Sequence, residues 1–120
     1  MLTNFLLVGA GGALGSILRY SLAVIIGTRP FPYATFTANI LGSLLIGMLL
    51  GLSLKNSISD YTWKFLSIGV CGGFTTFSAY SLENFQYLQQ GRFGYLIVYI
   101  GSSISLGLLA TYVGYIIVKN

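Results

Sequence analysis

Gly72-Gly73-Phe74-Thr75-Thr76-Phe77-Ser78 interrupts an apolar stretch that runs from Phe65 to Val70 on one side and from Leu82 to Leu88 on the other. Two adjacent glycines followed by two threonines and a serine are poor helix formers: glycine loses the most backbone entropy, and β-branched threonine loses side-chain freedom. In a water-soluble protein these residues would form a loop. With apolar residues on both flanks they instead predict a helix broken at membrane depth, where hydrocarbon cannot solvate the freed amides and carbonyls. Such a break persists only where it lines a cavity, is buried in protein or binds an ion. The rest of the chain is read outward from this break.

Composition supports the membrane setting. Of 120 residues, 55% are hydrophobic and only 7% are charged, where a soluble domain carries about 25% charged residues; the mean hydropathy is +0.82. A bilayer-spanning helix needs about 20 apolar residues, so four spans with short turns use up the chain and leave no soluble domain. The first apolar run continues past signal-peptide length, and Arg19 interrupts it late, so no cleavable leader is expected. Net charge is +4, but the basic residues are scattered at segment ends. They therefore predict membrane-flank anchors rather than a nucleic-acid surface. There is no histidine, and Cys71 is the single cysteine. That removes most metal sites and histidine-based catalysis, and with no paired carboxylates an enzyme is not expected.

The four segments run over about 4–26, 33–54, 61–89 (broken at 72–78) and 93–118, as one all-α membrane domain. In the first, Gly11 to Gly15 and Gly12 to Ser16 have the small-residue spacing that lets helices approach closely. Arg19 fits either a snorkelling anchor or a positive charge at a pore vestibule. Pro30 and Pro32 punctuate the first loop. In the second segment Asn39, Ser43, Gly47 and Gly51 fall four apart on one face. Asn39 needs a hydrogen-bond partner in hydrocarbon, and fits either interhelical glue or a donor lining a polar path. Past the break, Phe77 and Tyr80 flank Ser78, and Glu83 lies one turn further on, where it needs a partner or a watery vestibule. In the fourth segment Tyr99, Ser103, Gly107 and Thr111 again repeat every four residues, a stripe read as a polar track.

The loops carry almost no orientation signal. Lys55, Lys64 and Lys119 fall on one side, and Arg29 and Arg92, with Arg19 if it reaches that interface, on the other. So weak a positive-inside bias permits insertion both ways and hence an antiparallel dimer. The polar groups at membrane depth are amides, hydroxyls and aromatic edges. Amide NH2 and hydroxyl groups donate hydrogen bonds, and a phenylalanine edge carries the positive end of its quadrupole, so a small, strongly accepting anion suits them. Carbonyls freed at the break suit a cation.

Gly69-Val70-Cys71-Gly72-Gly73-Phe74-Thr75-Thr76-Phe77-Ser78-Ala79-Tyr80-Ser81, followed by Glu83, resembles the signature of the Fluc (CrcB) family of fluoride channels. Residues 11–20 (GGALGSILRY) and 37–47 (TANILGSLLIG) resemble that family's first two helices, so the resemblance covers nearly the whole chain. It implies a dual-topology antiparallel dimer of four-helix subunits with two fluoride pores and a central structural sodium ion held by backbone carbonyls of both subunits. By position, Gly72 and Thr75 match the residues whose carbonyls hold sodium, Asn39 the pore asparagine, and Phe77 the first of two phenylalanines facing fluoride. Thr76 and Ser78 fall in the polar patch of the break, Tyr99, Ser103 and Thr111 on the hydroxyl track, and Arg19, with Glu83, at the vestibule. Two positions depart from the family pattern: Tyr80 replaces the second pore phenylalanine, and Gly107 stands where a hydroxyl is expected.

The resemblance thus implies a passive channel that exports cytoplasmic fluoride across a prokaryotic plasma membrane, as a homodimer, or as a heterodimer with a sister subunit if Tyr80 marks a degraded pore. A four-helix drug/proton antiporter is the rival. It needs an ionisable group at mid-membrane, and the first segment has no carboxylate. A purely structural membrane subunit would explain the small-residue packing but not donors aligned beside a broken helix.

Overall fold

The computed structural model describes residues 1–119 and is helical throughout its described length apart from short connections. Helix α1 spans Leu2–Ile26, α2 Tyr33–Leu54, α3 residues 60–74, α4 Phe77–Gln90 and α5 Phe93–Lys119. Four membrane-crossing segments result, because α3 and α4 together form one apolar span, Asp60–Gln90. The molecule measures 47 × 32 × 24 Å, and its long axis fits a bilayer of about 40–45 Å including headgroups. The chain is a multi-pass membrane protein.

Local sequence sets the helix ends. Pro32 precedes the first residue of α2, where a missing N–H is harmless. Ser59 caps α3, its side chain accepting from the Thr62 amide at 3.1 Å. Gly91 ends α4 with φ 70°, and the Arg92 amide reaches back to the Tyr87 carbonyl at 2.9 Å, a left-handed cap that glycine adopts without strain. Within α3 the backbone is α-helical over Asp60–Trp63, widens to π-helical geometry over Lys64–Cys71 and returns to α over Gly72–Phe74.

The helices pack as two pairs, α2 with α5 and α1 with α3. Both seams are built on missing side chains. A Cβ on Gly15 would run into the Val70 carbonyl, and one on Gly73 into the Gly12 carbonyl. On the other seam, a Cβ on Gly47 would meet the Thr111 carbonyl, and one on Gly114 the Leu44 carbonyl. Lipid is as apolar as leucine, so close backbone approach rather than hydrophobic burial joins such helices. The interior is accordingly small: Ala38, Leu49, Val70, Cys71, Tyr87 and Tyr99 are its buried hydrophobic residues. Large apolar side chains such as Phe5, Ile17, Ile97 and Leu108 face outward, which hydrocarbon tolerates and water does not.

The break is narrower than the seven residues that the sequence suggests. Gly72, Gly73 and Phe74 stay helical, and only Thr75 (φ −88°, ψ 154°) and Thr76 (φ −149°, ψ 123°) are extended. The close fit of Gly73 against α1 holds the glycines in a helix that their intrinsic propensity disfavours; tertiary packing overrides propensity here.

Candidate functional site

The site begins with the backbone freed at Thr75 and Thr76. The Thr75 amide still closes the last turn on the Cys71 carbonyl at 2.9 Å, and the Thr75 hydroxyl donates to the same oxygen at 2.8 Å. The Thr76 amide turns away to Asn39, whose Oδ1 accepts it at 2.9 Å. The Asn39 Nδ2 in turn donates to the Thr76 carbonyl, a longer contact of 3.4 Å. One side-chain amide on α2 thus engages both backbone groups of the extended residue, as a neighbouring strand would. Thr76 also caps α4, its hydroxyl accepting from the Ala79 amide at 3.2 Å and lying 3.0 Å from the Ser78 hydroxyl. This answers the hydrogen-bonding demand that a break imposes in a membrane.

Two consequences fall on the end of α3. The Thr76 amide is the ordinary helical partner of the Gly72 carbonyl, and its turn to Asn39 leaves that carbonyl without it. The neighbouring Gly73 carbonyl accepts from Arg19 Nε at 3.2 Å. Arg19 is therefore anchored, half-buried, on the C-terminal end of α3, where the helix dipole favours a cation.

Beside the break opens a groove of about 530 Å3 whose wall includes Asn39, Gly72, Thr76, Phe77, Tyr80 and Ser103. Phe77 is 79% exposed, its ring centroid 5.9 Å from that of Tyr80. Ser103 has its hydroxyl oxygen buried with no hydrogen-bond partner. The other two hydroxyls of the α5 stripe are engaged. Thr111 donates to the Ser43 carbonyl of α2 and the Gly107 carbonyl of its own helix, both at 3.1 Å. Tyr99 is fully buried and donates to Glu83 Oε1 at 2.8 Å. The stripe that the spacing of four marks out is thus one free donor between two engaged ones.

Glu83 takes its second hydrogen bond at Oε2 from the Thr35 hydroxyl, at 2.8 Å. Around this carboxylate the rings of Tyr80 and Phe31 meet the Tyr99 ring edge-on, at 5.0 and 5.3 Å. Thr35 is the residue that sequence reasoning missed. Its signal was present, since it lies one turn before Asn39 in the same spacing of four.

The structure therefore brings Asn39, Gly72, Thr76, Phe77, Tyr80 and Ser103 to one groove. Thr75 also lines it, while Ser78 pairs with Thr76, Tyr99 with Glu83 and Thr111 with α2. Arg19 reaches the same helix break from α1.

Comparison with known proteins identifies the family. The family model described as "CrcB-like protein, Camphor Resistance (CrcB)" matches residues 6–115. A fluoride-specific ion channel FluC of Flavobacterium psychrophilum is 48% identical, the match covering 94% of each chain. Proteins of the same name from Azobacteroides pseudotrichonymphae and Thermus thermophilus are 46% and 45% identical, over 99% and 93% of this chain and 98% and 92% of theirs. The family match over residues 6–115 and these near-full-length identities place the chain, with its broken third span, in the CrcB-like family.

Proposed function

We propose that this chain forms a passive, fluoride-selective channel in a bacterial plasma membrane, and that it is not an enzyme. One observation carries the reading: a groove at the helix break in which the Ser103 hydroxyl is buried without a partner among Asn39, Phe77 and Tyr80. A donor left unsatisfied in an apolar wall is costly, and a small anion that accepts hydrogen bonds removes that cost. The names of the relatives supply the ion. Fluoride enters cells as neutral HF and ionises inside, so a passive path lets the anion leave down its gradient and relieves its toxicity.

The working unit in this reading is an antiparallel homodimer in the bilayer. Nearly balanced basic residues at the two ends of the subunit support it, as does the outward-facing Phe77, which a second subunit would cover. A single orientation of C-terminal reporter fusions would refute the dual topology. A structural sodium ion at the dimer centre fits the donors present. Gly72 has a carbonyl stripped of its helical partner, Thr75 is extended, and both lie at the negative end of the α3 dipole. Backbone carbonyls are hard oxygen donors of the kind that hold such a cation when it is bound. Arg19 occupies Gly73 and leaves these two carbonyls available.

The antiporter alternative finds less support. Its exchanging carboxylate would have to be Glu83, and both oxygens of Glu83 already accept hydroxyl hydrogen bonds. The deciding experiment is efflux from liposomes containing the purified protein alone, with fluoride and chloride followed by electrode. Fast fluoride efflux with chloride retained, and no dependence on a proton gradient, is expected. Equal fluoride and chloride rates would overturn selectivity. Efflux that appears only when a sister subunit is co-expressed would replace the homodimer by a heterodimer.

A further inference from the structure

A second cavity, also about 530 Å3, lies at the end of the molecule where α1 gives way to α2 and α4 to α5. Arg29, Arg92, Gln86 and Gln90 stand at this cavity, and Glu83 and Tyr87 form part of its wall. Both arginines are exposed, and neither has a carboxylate partner: among the described residues the one salt bridge is Lys64–Asp60, in the first turn of α3, which the orientation of the spans puts at the opposite end. Arg29 is steadied by donating from Nε to the Ile26 carbonyl at 3.2 Å. Arg92 lies over the Tyr95 ring, with its guanidinium carbon 5.8 Å from the centroid. The Tyr87 hydroxyl donates to the Pro30 carbonyl at 2.6 Å, which ties α4 to the α1–α2 loop and fixes the shape of the opening.

A single layer centred on Tyr99 separates this cavity from the groove at the helix break. The ring centroid of Tyr99 is 5.0 Å from that of Tyr80, which lines the groove, and 6.4 Å from that of Tyr87, which lines the second cavity. Its hydroxyl binds Glu83, which also lines the second cavity. We propose that this cavity is the outer mouth of the same anion path, and that Arg29 and Arg92 make it an electrostatic collector for small anions.

The proposal rests on the channel reading. It adds a site, two residues and a physical role to that reading. Among the described residues Glu83 is the one carboxylate lining the cavity, and it opposes anion entry. Two guanidiniums outweigh it and leave the mouth net positive. Two guanidiniums each about 8 Å from an anion in water raise its local concentration about fourfold over the same mouth without them at 10 mM salt, and scarcely at all at 1 M, where the screening length falls to about 3 Å. Charge at an entrance acts on the rate of encounter, and so it acts through ionic strength.

The test measures fluoride efflux from liposomes for the unaltered protein, the Arg29→Gln/Arg92→Gln double variant and the Arg29→Lys/Arg92→Lys double variant. Fluoride is kept low, and sodium isethionate is raised symmetrically from about 10 mM to about 1 M. The expected result is an efflux rate about fourfold lower for the glutamine variant at low salt, converging on the unaltered protein at high salt. The lysine variant, which keeps the charge without the guanidinium geometry, should follow the unaltered protein throughout. Equal rates for all three at low salt would overturn the proposal, as would a deficit in the glutamine variant that persists at high salt. The second outcome would make the arginines structural or lipid-binding residues. Absence of fluoride efflux from the unaltered protein would instead overturn the channel reading itself, so the two failures are distinguishable.

Discussion

Replacing Asn39 with alanine removes the one side chain that engages both backbone groups of Thr76. The amide bond at 2.9 Å is well formed, and the carbonyl bond at 3.4 Å is long. A buried group left unpaired costs about 1–3 kcal/mol. Asn39 is half-buried beside an open groove, so water recovers part of that, and the expected loss is about 1–2 kcal/mol. A loss of that size raises the population of the opened break about 5–30-fold. Hydrogen exchange over residues 72–80 in detergent or nanodiscs should speed up by that factor, and fluoride efflux should fall. Asn39→Asp separates the two roles. Its carboxylate still accepts from the Thr76 amide, so exchange should stay near that of the unaltered protein. The donor is gone and a negative charge enters the groove, so fluoride efflux should fall below that of the alanine variant. Exchange as fast in the aspartate variant as in the alanine variant would refute the pairing as the source of order. Unchanged exchange and efflux in the alanine variant would refute the role of Asn39 altogether.

Gly15→Ala drives a Cβ into the Val70 carbonyl and is expected to destabilise by about 1–3 kcal/mol. Gly9→Ala, with nothing within 4 Å, should be neutral or stabilising by up to about 1 kcal/mol; melting temperatures in detergent compare the two. Thr75→Ala removes the hydroxyl that donates to Cys71, with a loss of about 1 kcal/mol. Because the backbone carbonyl remains, the sodium dependence of fluoride efflux should be retained, and a lost dependence would assign the hydroxyl to the ion. Tyr80→Phe leaves the edge-on contact with Tyr99 at 5.0 Å in place, so fluoride rate and the exclusion of chloride should both be unchanged; a shift in either would show that the tyrosine hydroxyl takes part in the path.

Much of this architecture is legible in the sequence because membrane helices obey few rules. Length and hydropathy mark the spans, and the Gly-Gly-Phe-Thr-Thr run marks the interruption. The glycines spaced by four mark both helix seams. What escaped is what depends on packing between segments. Gly72 and Gly73 look like loop residues by propensity, yet the Gly12 carbonyl pressed against Gly73 keeps them helical. Nothing in Lys64–Cys71 signals its π-helical backbone. Arg19 was open between a lipid-facing anchor and a vestibule charge, and its bond to the Gly73 carbonyl, 54 residues away, is a tertiary fact. Asn39 was open between glue and path donor. The structure gives it the first role at Thr76 and puts it on the groove wall as well.

In the channel proposed above, the hydrogen bonds at the groove and along the α5 stripe bear on how a path of hydroxyls would select its ion. Three of the hydroxyls argued for the path are held: Tyr99 by Glu83, Thr111 by backbone carbonyls, Thr76 by Ser78. A donor already bonded to a neutral carbonyl is released only to a stronger acceptor. Bonds to an ionised acceptor are roughly twice as strong as neutral ones, and the advantage is largest for the smallest anion, whose charge is most concentrated. In that reading fluoride would compete for the Thr111 hydroxyl where a larger, more diffuse halide would gain too little to displace the carbonyl. The Tyr99 hydroxyl is a harder case, because its present partner is itself a carboxylate. In the proposed channel, an anion passing that layer would have to share the hydroxyl with Glu83 or move the carboxylate aside, which would make Tyr99 and Glu83 together the step at which passage is most strongly resisted.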